Sequence, residues 1–198
     1  MPESVPGAGH PSNALPESAR RALLAELREH ALVIGPVTLS SGTRAEYYVD
    51  AKRAILRPAG FRALAELVAA EVARRDAAAV GGLTMGADPV ACAALAGGAG
   101  VKAFFVRQQV KAHGLQRAIE GPPLEPGERC LVVEDVVTTG GSTVHAIDVL
   151  QAAGQEVCGV VCVLDRLAGG REAVERAAAA PLTALATIDE VYPQRPDR

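Results

Sequence analysis

The stretch LVVEDVVTTGGSTVH, residues 131–145, places several kinds of chemistry side by side. An apolar run ends in two adjacent carboxylates, Glu134 and Asp135, which can accept hydrogen bonds from sugar hydroxyls. A loop of small and hydroxyl-bearing residues follows from Thr138 to Thr143, and a helical pattern begins there. Small residues let backbone N–H groups close on a phosphate, and the first turn of a helix adds partial positive charge. The combination suits a sugar that carries a phosphate. Each half alone has a plainer meaning, an acidic solvated loop or a turn into a capped helix. Their joining in strand–loop–helix order is what points to a ligand. A Walker A loop is excluded, because no Lys follows Gly141. The dinucleotide fingerprint G-x-G-x-x-G is absent here as well.

Three other segments carry polar chemistry. In VRQQVKAHGLQRAIEGPP, residues 106–123, the bases Arg107, Lys111, His113 and Arg117 stand among Gly114 and Gly121. A long cationic loop suits closure over an anionic leaving group and exclusion of water, although a solvated charged loop has the same composition. In GGLTMGADPVA, residues 81–91, Thr84 to Ala87 can offer backbone N–H groups ahead of a helix, with Asp88 as its N-cap and Pro89 in its first turn. In VCVLDRLAGG, residues 161–170, Asp165 and Arg166 stand at a strand end, where Arg suits bidentate recognition of a planar carboxylate.

EDVVTTGGST resembles the ribose-phosphate motif of type I phosphoribosyltransferases, which exchange the pyrophosphate of 5-phosphoribosyl-1-pyrophosphate (PRPP) for a nitrogenous base. The resemblance implies PRPP contacts from Glu134, Asp135, Val136, Val137, Thr138, Thr139, Gly140, Gly141 and Ser142. The R-x-x-x-K-x-H-G pattern followed by I-E-G-P resembles the catalytic loop of the orotate phosphoribosyltransferase family. That match adds Arg107, Gln108, Lys111 and His113 as PRPP contacts, with Lys111, His113 and Asp135 in catalytic roles. It also implies a homodimer in which the loop of one subunit serves its mate, and Mg²⁺ bound mainly through PRPP with no dedicated ligand cluster. TLSSGTRAEYYVD resembles the family's hood over the base, which would place backbone groups of Tyr48 and Val49 on orotate, with Thr138 and Arg166 beside them. The match departs from the family at Gln108, where a Lys is usual, at Ser40, and in the 84–89 loop, which lacks a Lys. Lys52 and Arg53 are candidates to compensate for the Lys missing at Ser40. The activity implied is formation of orotidine 5′-monophosphate and pyrophosphate. A phosphoribosyltransferase for another base and a non-catalytic PRPP-sensing regulator remain open as alternatives.

These segments need a scaffold. The chain has 198 residues, enough for one domain with a full core, and 49% of them are hydrophobic. Aromatics make up only 3% and Trp is absent, so Ala, Val and Leu must build the core. A net charge of −3 gives no footprint for nucleic acid or an anionic membrane. Cys92, Cys130, Cys158 and Cys162 lie in apolar contexts and read as small buried hydrophobes, with Cys158 and Cys162 on one face of a strand. With no signal peptide or membrane-length apolar run, a reducing cytoplasm is expected.

Residues 1–16, rich in Pro, Gly, Ala and Ser, read as a flexible segment, and 17–198 as one domain with a hood from about 17–57. Apolar spacing predicts a helix over 17–32, strands and a turn to about 56, and a helix over 59–75 with Phe61, Leu64, Val68 and Val72 on one face. Strands are then predicted near 78–83, 101–106, 129–133, 157–164 and 182–188, with helices near 88–97, 142–153 and 170–180 between them. Such alternation predicts an α/β fold, a parallel sheet flanked by helices, as in the type I phosphoribosyltransferases. Ligands in such folds lie beyond the carboxyl ends of the strands, where all four segments fall.

Overall fold

The computed structural model describes residues 15–38, 44–108 and 118–198. Helix α1 (Glu17–Glu26) continues into a π-helical turn, Leu27–Ala31, and together they bury Leu23, Leu27 and Ala31. Strands β1 (Leu32–Thr38) and β2 (Arg44–Val49) pair antiparallel, with Leu32 opposite Val49 and Ile34 opposite Tyr47. Their register slips between Ile34 and Val37, where Pro36 has no N–H to give to a ladder. The region expected to hold only strands and a turn ends in a short helix, α2 (Lys52–Ile55). There the Asp50 carboxylate accepts the Lys52 N–H at 3.2 Å, and Ala54 and Ile55 are buried, so local capping and packing favour a helical turn. α3 (Pro58–Arg75) opens on a proline, which has no N–H to leave unpaired, and stops at Asp76 in the left-handed region, φ 49°.

The remaining strands are β3 (Ala79–Leu83), β4 (Lys102–Val106), β5 (Ile119–Glu120), β6 (Arg129–Val137), β7 (Glu156–Asp165) and β8 (Leu182–Thr187). Among the described residues they form one sheet in the order β5-β4-β3-β6-β7-β8. All run parallel except β5, which returns on β4 through two rungs, Phe105 with Glu120 and Val106 with Ile119. Helices α4 (Asp88–Ala96), α5 (Gly141–Ala152) and α6 (Gly170–Ala178) connect the strands, and α7 (Ile188–Val191) follows β8. From β3 the chain moves outward to β4, and from β6 it moves the other way to β8. That reversal opens a crevice at the carboxyl ends of β3 and β6.

Each face of the sheet carries its own core. Leu131, Val133 and Val161 pack with Leu23, Leu64 and Val90 on one side, and Val132, Cys130 and Cys162 with Ile147, Leu150 and Val174 on the other. Burial on both faces is why the strands read as unbroken apolar runs. Two expectations need correction. β6 runs on to Val137, so Glu134 and Asp135 lie inside the strand instead of beyond it. Cys158 and Cys162 do not share a face, because an extra residue in β7 opposite the Cys130–Leu131 step shifts the register and turns Cys158 to the α3 side. Cys130 and Cys162 are buried, as expected of small hydrophobes, whereas Cys92 is exposed. Among the described residues no helix is long and apolar enough to cross a membrane.

Candidate active site

β6 carries Glu134 and Asp135 into the crevice nearly buried, at 5% and 8% exposure. Their oxygens hold the local backbone. The Asp135 N–H donates to Glu134 Oε1 at 3.1 Å, the Val136 N–H to Asp135 Oδ1 at 2.8 Å, and the Thr143 hydroxyl to Glu134 Oε2 at 3.2 Å. Burial, and then the charge of Asp135, push the Glu134 carboxyl up to about 8. A cation steadies the other half of the pair. Lys52 Nζ, from α2, donates to Asp135 Oδ2 at 2.8 Å and lies 3.1 Å from Asp50. Burial alone would lower the Lys52 ammonium, but the hydrogen bond and charge of Asp135, then of Asp50, raise it above the ordinary lysine value.

Beyond Val137, residues Thr138, Thr139, Gly141 and Ser142 are exposed. Gly140, at φ 82°, starts α5, and no side chain caps that helix. Its first N–H groups are therefore available to an anion. The loop rests on the start of α6. A Cβ on Gly140 would lie 2.8 Å from Val174, and one on Gly170 would lie 2.5 Å from the Thr138 carbonyl oxygen. Only glycine fits that approach.

The segment after β3 crosses directly over the acidic pair. A Cβ on Gly86 would lie 2.5 Å from Asp135 Oδ1 and 2.8 Å from Glu134 Oε1. Asp88 is not the expected N-cap. It is the first residue of α4, and its Oδ2 accepts the Thr84 hydroxyl at 2.7 Å, which closes Thr84–Asp88 into a loop. Pro89 falls in the first turn as expected. Thr84, Phe105, Arg107, Gln108 and Glu120 line a cleft of about 510 Å³. Arg107 Nε donates to Glu120 Oε1 at 2.7 Å across the β4–β5 stem, so the stem positions the arginine.

Arg166 stands at the neighbouring strand end, where its N–H donates to the Val137 carbonyl at 2.9 Å. Its guanidinium carbon lies 4.8 Å from the centroid of the Tyr47 ring, and Nη2 donates to Tyr47 Oη at 3.0 Å. Tyr47 Oη in turn donates to Asp197, whose two carboxylate oxygens are each 3.0 Å away. Burial, and then the hydrogen bond to Asp197, push the Tyr47 phenol up. Tyr48 is exposed and Val49 is buried. Adjacent residues of an antiparallel strand turn their backbone groups to opposite edges, so only one of Tyr48 and Val49 presents its own N–H and C=O on the free edge of the β1–β2 pair.

The structure thus gathers Glu134, Asp135, the Thr138–Ser142 loop and Arg166 at adjoining strand ends, with Arg107 and Gln108 beside Thr84. Lys111, His113, Arg117 and Ser40 lie outside the described residues. Among the described residues no group of three or more His, Cys, Asp or Glu side chains is placed to hold a metal ion. Sequence reasoning reaches Lys52 only as a candidate replacement for the lysine absent at Ser40, and does not reach the contacts of Gly86, Gly170, the Tyr47 side chain or Asp197. The Gly169-Gly170 pair after Asp165-Arg166 was a visible signal of close packing. Tyr47 and Asp197 are 150 positions apart, and no local pattern joins them.

The phosphoribosyl transferase domain model matches residues 56–178. An orotate phosphoribosyltransferase of Streptomyces avermitilis is 45% identical over 179 residues, covering 88% of this chain and 98% of its own length. The crystal structure of Mycobacterium tuberculosis orotate phosphoribosyltransferase in complex with Fe(III) dicitrate superposes with a TM-score of 0.78 at 42% identity, covering 88% of this chain and 99% of that one. The structure of the Mycobacterium tuberculosis enzyme in complex with PRPP superposes with a TM-score of 0.71 at 33% identity, covering 88% and 92%. On its strand order, its acidic pair, the small-residue loop before α5 and these likenesses, the chain belongs to the phosphoribosyltransferases and, among them, to the orotate phosphoribosyltransferase family.

Proposed function

We propose that this chain transfers the phosphoribosyl group of PRPP to orotate, giving orotidine 5′-monophosphate and pyrophosphate, a step of pyrimidine nucleotide synthesis. One observation carries the reading: a buried acidic pair, an uncapped helix start and an arginine meet at adjoining strand ends. In the proposed complex the N–H and hydroxyl groups of Thr138, Thr139, Gly140, Gly141 and Ser142 take the 5′-phosphate. Val136 and Val137 form the strand edge beneath the ribose. Glu134 and Asp135 accept its hydroxyls, and the Asp135 carboxylate stabilises positive charge on the sugar. Thr84–Ala87, Arg107 and Gln108 face the pyrophosphate. Arg166 grips the orotate carboxylate, and Thr138 with whichever of Tyr48 and Val49 turns its backbone to the free edge completes the acceptor side.

The reaction breaks the bond between C1 of the ribose and the pyrophosphate oxygen, and a ring nitrogen of orotate then attacks C1. Positive charge grows on the sugar as the first bond lengthens, and in the proposed complex the acidic pair faces that charge. Lys111 and His113 are assigned to the departing pyrophosphate. Lys52 holds the Asp135 side chain aligned until the sugar arrives. The carboxyl oxygens already hold N–H, hydroxyl and ammonium donors, so they suit water and ribose hydroxyls around a Mg²⁺ carried in on PRPP better than a cage of their own. Such an ion would neutralise charge on the leaving group. We further assign residues 17–198 to one domain with its hood from about 17–57, a homodimer sharing its loops, and a cytoplasmic location.

The test is an orotate-dependent pyrophosphate release assay with PRPP and Mg²⁺, run beside uracil and hypoxanthine. Turnover with orotate alone is expected. Turnover with hypoxanthine or uracil but not orotate would assign another base, and no turnover with any base would favour a PRPP sensor.

A further inference from the structure

The segment after α7 lies on the acceptor side of the site. Tyr192 meets the Tyr47 ring edge-on, with centroids 5.3 Å apart. Arg195 is held by Asp189, and its Nε lies 3.2 Å from Asp197 Oδ1. These contacts deliver the Asp197 carboxylate to the Tyr47 hydroxyl, with both oxygens at 3.0 Å, while Asp197 Oδ2 stands 3.9 Å from Arg166 Nη2. Arg166 is poorly served by this arrangement. Its Nε is buried with no hydrogen-bond partner among the described residues, and Nη2 is engaged by Tyr47. The Nε and Nη2 edge of a guanidinium is a fork that a planar carboxylate fills with two parallel hydrogen bonds. Asp197 approaches only one arm of that fork, at ion-pair distance. A buried, empty N–H is unfavourable, so a better-placed carboxylate has something to gain there.

We propose that Asp197 is an internal competitor for the acceptor's carboxylate: it rests on the Arg166–Tyr47 pair in the free protein and is displaced when the carboxylated base binds. The proposal rests on the reading of Arg166 as the carboxylate partner. It gives the 192–197 segment a place in the reaction cycle. Acceptor binding releases Asp197 from Tyr47, and product departure lets it return. Asp197 thereby raises the orotate concentration needed for half-saturation without touching the chemistry at C1. The exposed half of the Asp197 side chain keeps the hold weak, in the range of a surface ion pair.

Steady-state kinetics on Asp197→Asn and Asp197→Ala test this. Both variants are expected to lower the orotate KM about two- to fivefold, the range that a surface ion pair spans, and to leave the PRPP KM and the kcat at saturating orotate unchanged. An orotate KM that stays the same or rises in both variants overturns the proposal. Arg166→Gln serves as the separate check. If it leaves the orotate KM unaltered, the reading of Arg166 itself fails. If it raises that KM while the Asp197 variants change nothing, only the internal competitor fails.

Discussion

Thr143 reaches Glu134 across nine positions of one strand–loop–helix unit, whereas Arg166 reaches Tyr47 across 119 positions of chain. The side proposed to take the sugar is therefore local. Its carboxylates, small-residue loop and helix start are consecutive and rest on the cores of the large sheet. The side proposed to take the acceptor is assembled. It requires the β1–β2 pair, the end of β7 and the segment after α7 to arrive together. A local site inherits the stability of the element that carries it, while an assembled one can loosen without global unfolding. The two sides should accordingly respond to mutation in different kinetic parameters.

The largest effect is expected on the sugar side. Asp135→Asn should lower kcat about 10²- to 10³-fold, the usual range for removing one stabiliser of developing charge. Pyrophosphate release measures this, and a loss confined to the orotate KM would contradict the division. Arg166→Lys replaces a fork with a point charge and should raise the orotate KM about 10- to 100-fold while the PRPP KM stays put. Equal rises in both constants would mean that the two sides are one unit. Gly86→Ala forces a methyl group against Asp135 and Glu134, and should destabilise the fold by about 1–3 kcal/mol in denaturant titration and slow turnover.

The smallest effect is a pH dependence of stability. The Glu134 carboxyl is raised in the folded chain from 4.5 to about 8, so the folded state holds a proton that the unfolded state gives up. That contribution is fully present below about pH 4.5 and is lost as pH rises through about 8. Glu134→Gln removes the titration. Its melting temperature relative to the native chain should therefore climb steadily between pH 5 and pH 8. A difference that does not change with pH would show that Glu134 is already ionised in the folded chain despite its burial beside Asp135.

How far the site was legible follows the same division. EDVVTTGGST announces its chemistry because strand, carboxylates, loop and helix start are contiguous, and the structure keeps them so. The alternation of strands and helices likewise survives, since burial on both faces leaves an unmistakable apolar run. What sequence reasoning could not reach depends on long-range contact. Lys52 and Asp135 are 83 positions apart, and nothing in DAKRAI tells that its lysine turns toward β6. Gly86 looks like a turn glycine until the acidic pair is seen beneath it. Cys158 fails for a different reason. A two-residue period assumes an even ladder, and one inserted residue in β7 reverses the face.

The two rungs between β4 and β5 have a consequence for how this protein can change. Phe105 with Glu120 and Val106 with Ile119, reinforced by the Arg107–Glu120 pair, hold the β4 and β5 backbones about one strand spacing apart, roughly 5 Å. Between fixed ends, chain length enters the free energy only logarithmically, so doubling an insert costs about 0.6 kcal/mol. The stem is a socket. Chain inserted between such fixed ends can lengthen at little cost to the sheet that carries the acidic pair. Turnover can drift in evolution at this position while the cores on both faces of the sheet stay as they are.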